Sequence, residues 1–66
     1  MKVTYDPEVD VLNIIFAEGP IDQSEEERPG IVVDYDRRGG MVAIEILQAC
    51  KRFPIPTAVE YSVASA

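Results

Sequence analysis

Histidine is absent from the 66 residues and cysteine occurs once. The first absence removes the commonest general base, the commonest transition-metal ligand and every Ser-His or Cys-His nucleophile pair, and most hydrolase chemistry goes with them. The second leaves Cys50 without an internal disulfide partner, so a reducing compartment is the simpler setting. No apolar run approaches the roughly 20 residues that a bilayer helix needs. The opening Met1-Lys2-Val3-Thr4-Tyr5-Asp6 lacks the apolar stretch of a signal peptide. A cytoplasmic location is therefore expected, with no membrane partner. Positive charge is also scarce, 6 basic residues against 12 acidic ones, and the net −6 has the wrong sign for a surface that neutralises phosphates. Direct binding to nucleic acid is not expected.

What remains, 47% hydrophobic and 27% charged residues, is the composition of a folded globular domain rather than a disordered chain. A chain this short holds one domain, and a core below roughly 70–80 residues seldom supplies more than about 3–5 kcal/mol. With no disulfide available, oligomerisation is the cheap reinforcement.

Four segments divide the domain: a hairpin over 1–17, an acidic connector over 18–30, a second hairpin over 31–50 and a C-terminal segment over 51–66. In the first, two β-rich runs flank Asp6-Pro7-Glu8-Val9-Asp10, where Pro and Asp favour a turn. Centring that turn between Glu8 and Val9 pairs Tyr5 with Leu12, Val3 with Ile14 and Met1 with Phe16. In the second, Arg37-Arg38-Gly39-Gly40 supplies the turn, and the register pairs Tyr35 with Val42, Val33 with Ile44 and Ile31 with Ile46. Each hairpin thus has one apolar face, Val3, Tyr5, Leu12, Ile14 and Phe16 in one and Ile31, Val33, Tyr35, Val42, Ile44 and Ile46 in the other. Agreement between the two favours one shared sheet.

The connector, with Gly19-Pro20, the run Glu25-Glu26-Glu27 and Pro29-Gly30, is expected to tuck Ile21 under the sheet or to form a short edge segment over Pro20–Glu25, not a long central strand. Thr57 and Glu60 have capping-box spacing, which predicts either a helix from about Ala58 to Ala64 or a frayed tail. The predicted fold is α+β, mostly β: a four-stranded antiparallel sheet made of two β-hairpins, with a short C-terminal helix or tail.

Three segments, Met1 to Leu12, Pro29 to Asp36 and Val42 to Cys50, in this order and spacing, resemble the small bacterial and archaeal family DUF2283 over roughly residues 1–53. The chain departs from the usual short family member in its Pro54–Ala66 extension. The family has no established activity, so the resemblance carries no catalytic residue. Some members are encoded beside small RelE-like or DUF4258-type proteins, which implies an antitoxin-like role.

Asp34, Asp36 and Glu45 share one face in the expected register and are the candidate metal or acid/base cluster. The weightier reading is structural, since Asp34 lies opposite Ala43, Glu45 opposite Val32, and Asp36 beside Arg37 and Arg38. Cys50 would be reactive if Lys51 and Arg52 lowered its pKa, but a small residue ending a strand is the plainer role. Glu25, Glu26 and Glu27 are a candidate docking strip for a basic partner, against a plainly solvated loop. Arg37-Arg38 and Lys51-Arg52 lack interleaved aromatics and make a poor nucleic-acid surface.

The expectation is a non-enzymatic interaction module with no cofactor and no metal. The eleven-residue apolar face named above is more than the tail can cover, so a homodimer is expected, stacked sheet on sheet or joined at edge strands. A small basic toxin-like protein is the further expected partner. A minimal carboxylate enzyme using Asp34, Asp36 and Glu45, or a purely structural self-associating subunit, are the alternatives.

Overall fold

The computed structural model describes residues 1–54 and 56–65. Its strands are β1 (Lys2–Asp6), β2 (Val11–Ile15), β3 (Gln23–Arg28), β4 (Ile31–Tyr35) and β5 (Met41–Leu47), followed by the single-turn helix α1 (Ala49–Arg52). All pairings are antiparallel, and the spatial order is β1-β2-β5-β4-β3. The two predicted hairpins are both present, joined through β2 and β5 at the centre of the sheet.

Five strands replace the expected four, because the acidic connector supplies β3. An edge strand can carry charges on both faces, since only its backbone needs a partner, and every side chain of β3 is exposed. Pro29-Gly30 then turns the chain back into β4, with Gly30 at φ 78°. That left-handed conformation favours glycine, and a side chain there would also push the flexible Arg52 guanidinium away from the Pro29 carbonyl.

Parity gave the register correctly at Val3↔Ile14, Tyr5↔Leu12, Val33↔Ile44 and Ile31↔Ile46. It fails near the two hairpin ends. Tyr35 faces Met41 rather than Val42, because the register shifts at Asp34/Tyr35. The Asp36 carboxylate, accepting hydrogen bonds from the backbone amides of Arg38 (2.9 Å) and Gly40 (2.7 Å), fixes a wider turn than parity assumed. Val42 becomes the extra residue, and its carbonyl accepts from the amides of Phe16 (2.8 Å) and Ala17 (3.3 Å). Phe16 is thereby drawn past the end of β2, and Met1 lies outside β1, so their expected pairing does not form.

The helix is also displaced from expectation. It follows β5 directly at Ala49–Arg52, and residues 58–64 carry no helix. Thr57 lies in a turn, and Val59, Tyr61 and Val63 beyond it are middling helix formers that stay largely exposed. Of the Pro54–Ala66 extension, Ile55 and Ala66 lie outside the described residues.

Every substantial contact between elements is one between neighbouring strands, and the molecule measures 35 × 34 × 19 Å. It is a single layer. Leu12, Val33, Val42, Ala43 and Ala49 are buried, while Ile14, Ile31, Ile44 and Ile46 keep a minor part of their surface open. Among the described residues no large side chain is fully enclosed.

Candidate functional site

Three polar clusters and one apolar face compete as the working part of the molecule. The first is at the end of the sheet where α1 sits. Asp10, in the left-handed region at φ 57°, ends the β1–β2 turn, a conformation that Asp tolerates better than most residues. Its carboxylate accepts from the Tyr5 hydroxyl at 2.7 Å and from the Cys50 amide at 3.0 and 3.3 Å, and its carbonyl accepts from the Ala49 amide at 3.0 Å. The donated Tyr5 hydrogen bond, reinforced by Cys50, holds the Asp10 carboxyl below its ordinary range. Tyr5 is held above its own range by hydrogen bonds to Cys50 and Asp10, in that order, and stays a protonated donor. The Tyr5 hydroxyl also lies 3.3 Å from Cys50 Sγ.

On the other side of α1, Arg52 Nε donates to the Leu47 carbonyl at 3.0 Å and its Nη2 donates to the carbonyl of Pro29. A carboxylate from the first turn and a guanidinium reaching the β3–β4 turn therefore clamp one short helix between the two halves of the sheet. The phenol, thiol and carboxylate are close, yet each Asp10 oxygen is engaged in holding the chain. This cluster is a latch. It also corrects the reading of Cys50, which is exposed in α1 rather than the end of a strand, and of Arg52, which fastens the helix as well as adding charge.

The second cluster lies on the opposite sheet face to Val3 and Leu12. Asp34, 4% exposed, accepts from the Ser24 hydroxyl at 2.6 Å. Glu45 lies diagonally from it, in the pairings Asp34↔Ala43 and Val32↔Glu45 that the sequence predicts. Burial first, then the hydrogen bond and charge of Asp34, push the Glu45 carboxyl up. The two border a cleft of about 500 Å³ with Asn13, Ile15 and Ile21. Ile21 is half-exposed at its rim, where the connector crosses this face. Asp36 does not join them, its carboxylate being bound into the β4–β5 turn. Among the described residues no three His, Cys, Asp or Glu side chains gather as a metal-holding group.

The third cluster is the acidic strip. Glu25 shares the sheet face of Val33 and Glu26 the face of Val32, while Glu27 lies in the register shift between Glu26 and Arg28. The Tyr35 hydroxyl donates to Glu27 Oε1 at 2.5 Å, which raises the Tyr35 pKa, with burial and the charges of Glu27 and Glu25 adding to the effect. Glu25 and Glu26 are solvent-facing on a sheet edge.

The apolar face carries Val3, Tyr5, Leu12, Ile14, Ile44, Ile46, Val33 and Ile31 across four strands, by the observed register. Among the described residues of the C-terminal tail, Pro56, Thr57, Val59 and Tyr61 border this face at its β1 side. There Pro56, Thr57 and Val59 bound a cleft of about 450 Å³ with Val3, Tyr5, Pro7 and Leu12. Eight of the eleven residues expected on one face share it in the observed register, whereas Phe16 lies past the end of β2 and Tyr35 and Val42 lie at the register shift. Sequence reasoning missed the Asp10 latch, whose partners are 5 and 40 residues away in the chain, and no local pattern encodes them.

Residues 2–49 match the family model described as a protein of unknown function, DUF2283, and the chain belongs to that family. Comparison with curated proteins gives no match, and neither does comparison with solved structures.

Proposed function

We propose that the protein is a non-enzymatic interaction module that self-associates and also offers its acidic side to a small basic, toxin-like protein. The observation that carries this reading is the single-layer sheet, on whose apolar side, among the described residues, Val3 is 40% exposed and Ile14, Ile31, Ile44 and Ile46 keep part of their surface open. A domain that buries so little gains most from association, because contiguous exposed apolar patches beyond a few hundred Å² mark interaction sites. The net charge of −6 and the exposed glutamates of β3 favour a basic partner by steering its approach. The carboxylates fit a structural use, since Asp10, Asp34 and Asp36 each hold backbone or hydroxyl donors of the same chain.

Sedimentation equilibrium and thermal unfolding of the full chain across a hundredfold range of concentration test the self-association. A mass above that of one chain is expected, with a Tm that rises with concentration by mass action. A monomer whose Tm ignores concentration would overturn the reading.

A further inference from the structure

The sheet has two edges, β1 and β3, and they differ in whether they can meet their own copy. When two identical edge strands pair antiparallel about a twofold axis normal to the sheet, directly opposite residues must point to the same face, so residue numbers in each pair sum to an even number. For β3 the two central registers set either Glu25 against Glu25 or Glu26 against Glu26. Like charges directly opposite are destabilising. A register shift between Glu26 and Arg28 also breaks the regularity of that edge.

β1 has neither defence. Its middle residue is Thr4, and the register centred there uses the whole strand. Thr4 meets Thr4, Val3 meets Tyr5, and Lys2 meets Asp6, the last two twice by symmetry. Hydroxyl pairs, aromatic with β-branched pairs and opposite charges are the favourable cross-strand combinations. Just outside the strand the same register brings Met1, 78% exposed, towards Pro7 of the second copy. Val3 at 40% and Tyr61 at 78% are further apolar groups open at this edge, bounding a hollow with Met1. Within the two edge strands the exposed large apolar side chain is Val3 of β1, with Met1 and Tyr61 beside it, whereas β3 reads Gln-Ser-Glu-Glu-Glu-Arg and Ile21, 52% exposed, lies two residues before it.

Resting on the self-association reading, we infer that the second copy joins at β1, antiparallel and centred on Thr4, so that two five-stranded sheets become one of ten. Both apolar sides then face the same way in one continuous sheet. Cross-strand neighbours have Cα atoms about 4.5–5.5 Å apart, within disulfide range.

The test uses the full chain with Cys50→Ser, carrying Thr4→Cys or, as a control, Glu25→Cys, under mild oxidation. Lys2→Glu in the unaltered background accompanies them, with Lys2→Arg to report whether the site tolerates replacement. Expected are a reducible covalent dimer from Thr4→Cys and none from Glu25→Cys. Lys2→Glu, which faces Asp6 of the other copy at two symmetric places, is expected to weaken the dimer about tenfold while Lys2→Arg does not. A dimer that persists with no Thr4→Cys cross-link and no response to Lys2→Glu would overturn the β1 geometry and leave self-association standing. A monomeric parent chain would overturn both.

Discussion

The two edges of this sheet solve the same physical problem in opposite ways. β3 is covered in carboxylates and interrupted by a register shift, which discourages a second strand from adding. β1 alternates Lys2, Val3, Thr4, Tyr5 and Asp6 without interruption, and its two charges are of opposite sign at opposite ends. A strand like that is complementary to its own reversed copy. The comparison teaches that the two edges of one sheet can differ sharply in how readily they would receive a further strand.

The most disruptive test of this contrast lies beneath β1. Leu12, 7% exposed and paired with Tyr5, should cost about 2–5 kcal/mol when changed to Ala. That is the whole of what a core this size supplies, about 3–5 kcal/mol, so urea unfolding should find Leu12→Ala largely unfolded. Next in size is Asp10→Ala, which releases α1 and the Tyr5 hydroxyl together. Its Tm should fall by several degrees, and Asp10→Asn, keeping an acceptor and a tolerated left-handed backbone, should fall less.

Acid and base also sharpen the comparison. The Asp10 carboxyl is lowered from 3.8 in the folded chain, so its contribution is complete above 3.8 and is lost as pH falls through the folded value. Glu45 is raised from 4.5, so its contribution is complete below 4.5 and is lost as pH rises through the folded value. Glu45→Gln should therefore raise Tm at pH 7 by a few degrees and leave it unchanged at pH 4, measured by calorimetry. The smallest effect belongs to the acidic edge. Glu26→Gln, on exposed β3, should stay within about 0.5 kcal/mol in urea titrations, and a larger loss would show that the strip has a structural use.

Much of this fold was legible in the sequence because strand parity is strict. Val3, Tyr5, Leu12 and Ile14 could occupy one face only one way, and Gly39, at φ 81°, marked the second turn. β3 was harder to read. Its strand character comes from pairing with β4 and from Ser24–Asp34 and Glu27–Tyr35 hydrogen bonds, not from any apolar alternation. The short helix escaped for a similar reason: Asp10 and Arg52 hold it through contacts that join distant turns, and its four residues have no helical periodicity to detect. Asp34 and Glu45 were correctly placed as diagonal neighbours, but the hydrogen bond to Asp34 comes from Ser24 in β3, an edge strand that the sequence offered only as one alternative for the connector and with other bounds.

Hydrogen exchange of the backbone amides, followed residue by residue by NMR at high and low protein concentration, tests the contrast between the edges most directly. At high concentration the account predicts that all β1 amides are protected, including those pointing away from β2, while the outward amides of β3 exchange at solvent rates. Dilution should release the outward β1 set alone. Outward amides of β1 that exchange as fast as those of β3 at every concentration would contradict it.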